Sequence, residues 1–131
     1  LLEAIDHPDL QTVMVIHSNH GNEIDDAVER AVAAMRSRGI TVLNQAVLLK
    51  GINDRAATLV RLSEKLFDAG VLPYYLHLLD KVAGAAHFDL PEQDARRLMA
   101  EVSARLPGYL VPRLVREEAC ASNKTCIASL K

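Results

Sequence analysis

Apolar positions along the chain alternate between two periods. Short runs rich in β-branched residues predict strands, and each run is followed by a segment in which apolar residues recur every three to four positions, as in an amphipathic helix. One such helix places Ala27, Val28, Ala31, Val32 and Met35 on a single face. The pattern predicts strands over 12–16, 41–49, 74–79 and 109–115, and helices over 25–38, 54–69 and 91–105.

Residues with special backbone preferences mark the ends of these helices. Gly39 and Gly70 stand where a glycine in the left-handed conformation ends a helix. Asn53 is a natural N-cap for the second helix, and Pro91 opens the third. Residues 1–5 are expected to end an earlier helix, and the residues from 118 onward have no periodicity and predict a loop or tail.

The alternation of strands and helices, at about thirty residues per unit, predicts an α/β fold with a parallel sheet. Because the strands are almost continuously apolar, both sheet faces are expected to be covered. The pattern does not decide between an open doubly wound sheet and an arc of a barrel. Gly21 is the only glycine between the first predicted strand and the first predicted helix, so a dinucleotide-binding loop has no support.

Composition narrows the class of protein. The chain has 131 residues, of which 50% are hydrophobic and 24% charged, and the net charge is −2. This balance is globular, with no basic field for nucleic acid or membrane and no apolar run long enough to span a bilayer. The start of the chain has no signal-peptide pattern, and two cysteines with five residues between them suggest incidental thiols, so a cytoplasmic protein is expected. The absence of an initiator Met suggests a piece of a longer chain.

Polar residues at the strand ends are candidates for chemistry, because reactive groups in parallel α/β folds gather at the carboxyl ends of strands. For His17, Asn19 and His20, a site role and a structural role are equally favoured, and a metal pair is disfavoured because no third ligand is evident. The amides of Asn44 and Gln45 are expected to face the mouth of a barrel.

Three further residues are less telling by themselves. For His77 a structural role is favoured, and Ser63 is expected to be a solvated helix residue. Asp80 ends an apolar strand, where it can meet a cationic group, although a helix cap or an ion pair with Lys81 is the simpler reading.

Four segments resemble the lysine 2,3-aminomutase family. They are HSNHGNE (17–23), NQAVLLKGIND (44–54), PYYLHLLDKVAGAAHF (73–88) and GYLVP (108–112). The variant with LDKV followed by GAAHF is similar to the bacterial branch that acts for elongation factor P. The resemblance covers nearly the whole chain in order and without large gaps.

The resemblance implies a fold and a division of the chain. Residues 1–107 would form the second half of a partial β/α barrel of radical-SAM type, and residues 108–131 a C-terminal extension. In the family the lysine that holds pyridoxal phosphate lies in this extension, and the matching position is Lys124. The glycine-rich stretch before that lysine is replaced here by 118–121, as in the elongation-factor branch. Without the resemblance, Lys124 would be an exposed tail lysine.

The resemblance also implies the remaining site residues. Asp80 and Glu117 match two acids that bind the side-chain ammonium of L-lysine, with Glu117 standing where the better-known enzymes have Asp. His17, Asn19 and Gln45 are candidates for lining the cavity of S-adenosylmethionine and the other cofactor.

The implied reaction is a radical amino shift that converts L-lysine to β-lysine, with a downstream ligase and elongation factor P as further partners. The cluster motif CxxxCxxC is missing, as is the arginine expected at the substrate carboxylate, so the 131 residues alone are expected to be inactive. An alternative is a non-enzymatic half-barrel that forms homo-oligomers through exposed sheet edges. An unrelated doubly wound binding domain is the least favoured reading.

Overall fold

A computed structural model describes residues 11–78 and 90–116 and the backbone of 125–126. The strands are β1 (Val13–His17), β2 (Thr41–Leu48), β3 (Leu72–Leu78), β4 (Arg113–Arg116) and β5 (Thr125–Cys126). The helices are α1 (Asp26–Ser37), α2 (Ala56–Asp68) and α3 (Glu92–Arg105). Two 3-10 turns, Gly21–Glu23 and Gly108–Leu110, precede α1 and β4.

The five strands form one sheet whose order in space is their order in sequence. The pairings of β1 with β2, β2 with β3 and β3 with β4 are parallel, and β4 with β5 is antiparallel. A doubly wound sheet reverses its strand order at a switch point, whereas a barrel adds each strand beside the last one. Within the described strands there is no reversal, so the open question from the sequence is decided in favour of the barrel arc.

The apolar core lies between one face of the sheet and the three helices. Along β2, alternate residues are buried, and the buried set contributes Val42, Ala46 and Leu48 to the core. Side chains from every helix join them, including Val32 of α1 and Leu59 of α2. The strands and helices therefore form two layers that share one core.

The opposite face of the sheet, called the open face below, is only partly buried. It carries the other alternate residues of β2, and Val13 and Leu72 at its margins are 55% and 38% exposed. The prediction that both faces are covered is confirmed for the face that carries the helices, whereas no described helix packs on the open face. The almost continuous apolar runs of the strands therefore include residues on a face that no described helix covers.

Helix ends agree with the sequence at most positions. Gly39 and Gly70 have φ of 80° and 92°, the left-handed conformation predicted for them. Asp25 caps α1 by accepting a hydrogen bond from the backbone N–H of Val28 at 2.9 Å. Pro91 immediately precedes α3, as expected.

The predicted N-cap of α2 is wrong. The helix starts at Ala56, two residues later than predicted, and its N-cap is Arg55, whose side chain makes no capping hydrogen bond. Asn53 is instead fully buried, and its amide bonds to other backbone groups. The side chain that the local sequence assigned to the helix end thus makes tertiary hydrogen bonds instead.

Two differences concern the strands near the C-terminus. The predicted strand over 109–115 starts later, because a 3-10 turn occupies Gly108–Leu110 and Pro112, which lacks an N–H, precedes β4. Residues 125–126 lie in a strand rather than in a loop. Such a short strand has no periodicity to reveal it. The predicted helix end at 1–5 lies outside the described residues.

Candidate functional site

Gln45 and His77 form a polar pair on the open face of the sheet. Gln45 on β2 is in register with His17 on β1 and Tyr75 on β3, and His77 follows two residues after Tyr75. Since side chains alternate along a strand, these four residues share one face. The Nε2 atom of His77 lies 3.2 Å from the Oε1 atom of Gln45.

An apolar and aromatic setting surrounds this pair. The ring of Tyr75 meets the ring of His77 edge-on, with centroids 5.8 Å apart. Val47 and Val115 are in register with His77 on the neighbouring strands, and Val115 is 1% exposed. Gln45 and His77 are themselves half-buried. A ligand bound over this face would therefore contact hydrogen-bonding groups that are partly shielded from water.

Asn44 does not face the same side as Gln45, so the prediction that both amides face the mouth of the barrel is wrong for Asn44. Adjacent residues in a strand point to opposite faces. Asn44 is 2% exposed, and its amide accepts from the Ser18 N–H at 2.9 Å and donates to the Ser18 carbonyl at 3.0 Å. Its role is structural: it fixes the backbone just after β1.

Asn19 and Asn53 hold the same loop from another side. The Asn19 side-chain oxygen accepts from the Val47 N–H at 2.9 Å. The Asn53 Nδ2 atom donates to the carbonyls of Asn19 and Val47, both at 2.8 Å, and its oxygen accepts from the Leu49 N–H at 2.7 Å. We call Asn19, Asn44 and Asn53 the amide clamp. It joins the loop after β1 to the carboxyl end of β2.

The part of Asn53 in this clamp was not predicted from the sequence. A signal was present, because Asn53 closes the same segment as Asn44 and Gln45, but local spacing also fits a helix cap.

The loop after β1 contains further hydrogen bonds. The His20 Nδ1 atom accepts from the Asn22 N–H at 3.1 Å, and the Glu23 carboxylate accepts from the Asn19 N–H at 3.1 Å. Lys65 of α2 donates to the Gly21 carbonyl at 3.2 Å. Within residues 11–78 and 90–116, no three His, Cys, Asp or Glu side chains are grouped so as to hold a metal ion.

The reading of Ser63 as a solvated residue is wrong. Ser63 is 2% exposed and lies on the buried side of α2 with Leu59 and Leu66, which are one helical turn away in either direction. A small hydroxyl in a helix can bond within its own turn, so the sequence pattern around it is compatible with burial.

Three predicted site residues, Asp80, Glu117 and Lys124, lie outside the described residues. Their predicted roles remain predictions. Arg116, immediately before Glu117, pairs with Glu92 at 3.0 Å and thereby ties β4 to the first turn of α3.

None of the helices in the described part of the chain could span a bilayer.

Comparison with known proteins gives a consistent result. No protein-family model matches the chain. The L-lysine 2,3-aminomutase of Escherichia coli (strain K12) is 50% identical over 125 residues, which are 95% of this chain and 36% of the relative. That of Haemophilus influenzae is 52% identical over 91% of this chain and 35% of the relative, and that of Clostridium subterminale is 33% identical over 83% and 26%.

Among solved structures, a radical SAM methyltransferase from Sphaerobacter thermophilus has a similar fold. Its TM-score is 0.55 at 18% identity, and the match covers 91% of this chain and 39% of that one. The parallel order of β1 to β4 with helices between the strands is thus an arrangement that a radical SAM enzyme also has.

The chain spans about a third of the length of the curated relatives it matches. The aligned stretch includes the segments that contain Gln45, His77 and the amide clamp, since it covers 95% of the chain. The chain is therefore homologous, over 95% of its own length, to about a third of an L-lysine 2,3-aminomutase.

Proposed function

We propose that the chain is part of a lysine 2,3-aminomutase that converts L-lysine to β-lysine by a radical 1,2-amino shift, for the modification of elongation factor P. The observation that carries the proposal is the 50% identity to a named L-lysine 2,3-aminomutase over nearly the whole chain. The LDKV and GAAHF segments favour the elongation-factor branch. A downstream ligase and elongation factor P are the further partners, and the cytoplasm is the compartment in which that factor works.

The residue roles in this proposal come from the family pattern. Lys124 holds pyridoxal phosphate. Asp80 and Glu117 bind the side-chain ammonium of L-lysine, since two carboxylates provide strong charge-assisted hydrogen bonds to a cation. His17 and Gln45 are in register on the open face, which supports their assignment to the cofactor cavity. Asn19 is already bonded to β2 through its side-chain oxygen, which supports a role in shaping that cavity.

The open face has the chemistry that an adenosyl cofactor needs. It combines a carboxamide and an imidazole with half-buried apolar and aromatic neighbours, so it can bind polar edges and exclude water. S-adenosylmethionine with a reduced [4Fe-4S] cluster would supply the radical, and pyridoxal phosphate would hold the migrating amino group. The protein's own part is to orient these groups over the sheet.

The 131 residues alone are proposed to be inactive. They contain two cysteines, Cys120 and Cys126, whereas the family's CxxxCxxC motif supplies three thiolates to the cluster. A cluster-binding segment from the rest of the protein is therefore required for turnover. Isomerisation of lysine by the 131-residue chain alone would contradict this part of the proposal.

Covalent labelling tests the assignment of Lys124. The protein that contains this chain and the cluster-binding segment is incubated with pyridoxal phosphate, reduced with borohydride, digested and examined by mass spectrometry. We expect the reduced phosphopyridoxyl group on Lys124 at stoichiometric yield, and its loss in Lys124→Ala. Lys50→Ala, which removes an exposed lysine, is the matched control and should leave the label unchanged. Equal labelling of many lysines, with none preferred, would count against the assignment.

A second candidate function is a half-barrel module that self-associates without catalysis. The exposed margin of the open face favours it, because Val13 lies on β1, which pairs only with β2 among the described strands. Unpaired strand edges and exposed apolar residues both promote association.

A further inference from the structure

The hydrogen bond between Gln45 and His77 has a definite direction. The Oε1 atom of Gln45 is a carbonyl oxygen and can only accept, so the Nε2 atom of His77 must carry the hydrogen that bridges their 3.2 Å separation. A neutral imidazole with this arrangement has its proton on Nε2. The bond therefore selects a tautomer of His77.

The same bond fixes the other end of the carboxamide. With Oε1 engaged by His77, the Nε2 amide group of Gln45 points away from the imidazole, and no described residue accepts a hydrogen bond from it. Gln45 lies beside His17 on the open face, in the region assigned above to the cofactor cavity. A ligand over this face would meet a fixed N–H donor.

The surroundings of the pair stabilise this orientation of the Gln45 carboxamide. A carboxamide that is free to flip presents a donor half of the time and an acceptor otherwise, so a ligand would have to select one orientation. Tyr75 packs its ring against the edge of His77, and Val115 on the neighbouring strand is buried next to it. These contacts restrict the imidazole, and a hydrogen bond in such a partly dry setting is stronger than in water.

We propose that His77 is a positioning residue that orients the Gln45 carboxamide, so that its N–H group donates to an acceptor atom of S-adenosylmethionine. This rests on the proposed function for the ligand, while the orientation of Gln45 rests only on the described contacts. His77 acts through Gln45 and is not itself a catalytic residue.

Nuclear magnetic resonance of the ¹⁵N-labelled 131-residue chain tests the orientation without any cofactor. At a pH where histidine rings are neutral, we expect the ring of His77 to be protonated at Nε2 almost completely, and Gln45→Leu to lower the population of that tautomer toward that of a free imidazole. A neutral ring protonated at Nδ1 in the wild-type chain would overturn the inference and leave the proposed function intact.

Ligand binding then tests the consequence in the protein that contains the cluster-binding segment. Equilibrium binding of S-adenosylmethionine is measured for His77→Phe, which keeps a ring but loses the donor, and for His77→Gln, which keeps a donor. We expect about a tenfold loss of affinity in His77→Phe, as for a misplaced hydrogen bond, and partial recovery in His77→Gln. Arg105→Gln, at the exposed end of α3, is the control and should bind like wild type.

These outcomes distinguish failure of the positioning role from failure of the proposed function. Unchanged affinity in His77→Phe, or an equal loss in both His77 variants, would overturn the positioning role. Absence of S-adenosylmethionine binding in the wild-type protein would overturn the proposed function and the inference with it.

Discussion

Asn53 shows how much a single side chain contributes to this fold. Its amide makes three hydrogen bonds of 2.7 to 2.8 Å, to Val47 in β2, to Leu49 just after β2 and to Asn19 in the loop after β1, and none of its surface is exposed. Leaving buried backbone groups without partners costs about 1–3 kcal/mol each, because they lose their bonds to water on folding. The amide clamp therefore holds the loop that follows His17 in place and contributes substantially to the stability of the chain.

Replacing this amide should destabilise the chain. For Asn53→Ala we expect the free energy of unfolding to fall by about 3 kcal/mol, because one buried N–H and two carbonyls lose their partner. Urea unfolding followed by circular dichroism measures it. Asn22→Ala, at an exposed position of the same loop, is the control and should change the free energy by less than about 0.5 kcal/mol. Equal effects in the two variants would show that the clamp is dispensable.

At the scale of the elements, α1 and α2 start in different ways. Asp25 has an extended backbone and its carboxylate accepts the Val28 N–H. Arg55 has a similar extended backbone, with φ of −116° and ψ of 141°, but its side chain makes no capping bond. The position before α2 thus has the geometry of an N-cap without the chemistry of one.

This contrast predicts opposite effects of two substitutions. Arg55→Ser should raise the free energy of unfolding by about 0.5–1 kcal/mol, because a serine oxygen can accept a free N–H in the first turn of α2. Asp25→Ala should lower it by about 1 kcal/mol by removing an existing cap. Chemical denaturation of both variants beside wild type decides the point, and a loss of stability in Arg55→Ser would refute the capping argument.

Elements with strong local signals were predicted accurately from sequence. The end of α1 and the start of α3 agree with the prediction to within a residue or two, because glycine and proline act through their own backbone geometry. The start of α2 and the burial of Ser63 were not predicted. Both depend on which surfaces the neighbouring elements present, which local spacing does not encode.

At the scale of the whole molecule, the sheet has one covered face and one open face. The three helices pack on the face that contains Val42, Ala46 and Leu48, and the open face carries the polar pair together with apolar residues at its margins. Such a layer fits the position of a barrel wall whose interior is completed by other strands. By itself, it exposes apolar surface.

Self-association of the 131-residue chain is the expected consequence. Sedimentation velocity should show a dimer growing with protein concentration, and Val13→Lys should shift the equilibrium toward monomer by placing a charge at the 55% exposed margin of β1. Ile52→Lys, at another exposed apolar position in the turn after β2, is the matched control and should associate like wild type. A monomer at every concentration would argue against the half-barrel module.

The candidate site was predictable in part. Gln45 and His17 were picked out as polar residues at strand ends, and the structure places them in register on one face. Asn44 was grouped with Gln45 because the two are adjacent, yet a strand sends neighbours to opposite faces and only the sheet shows which face the helices cover. The partner of Gln45, His77, comes from the next strand, 32 residues away.

The sequence by itself determined the repeating strand and helix units and the family resemblance, because periodicity, helix-ending glycines and short motifs are local properties of the chain. The tertiary structure decided that the units form a barrel arc rather than a doubly wound sheet, and that Asn53 bonds to β2 rather than capping α2. It also decided that Gln45 meets His77. These outcomes depend on strand register and on the packing of segments that are distant in sequence. Whether an amide is buried, or a sheet face is left open, is a property of the assembled layers.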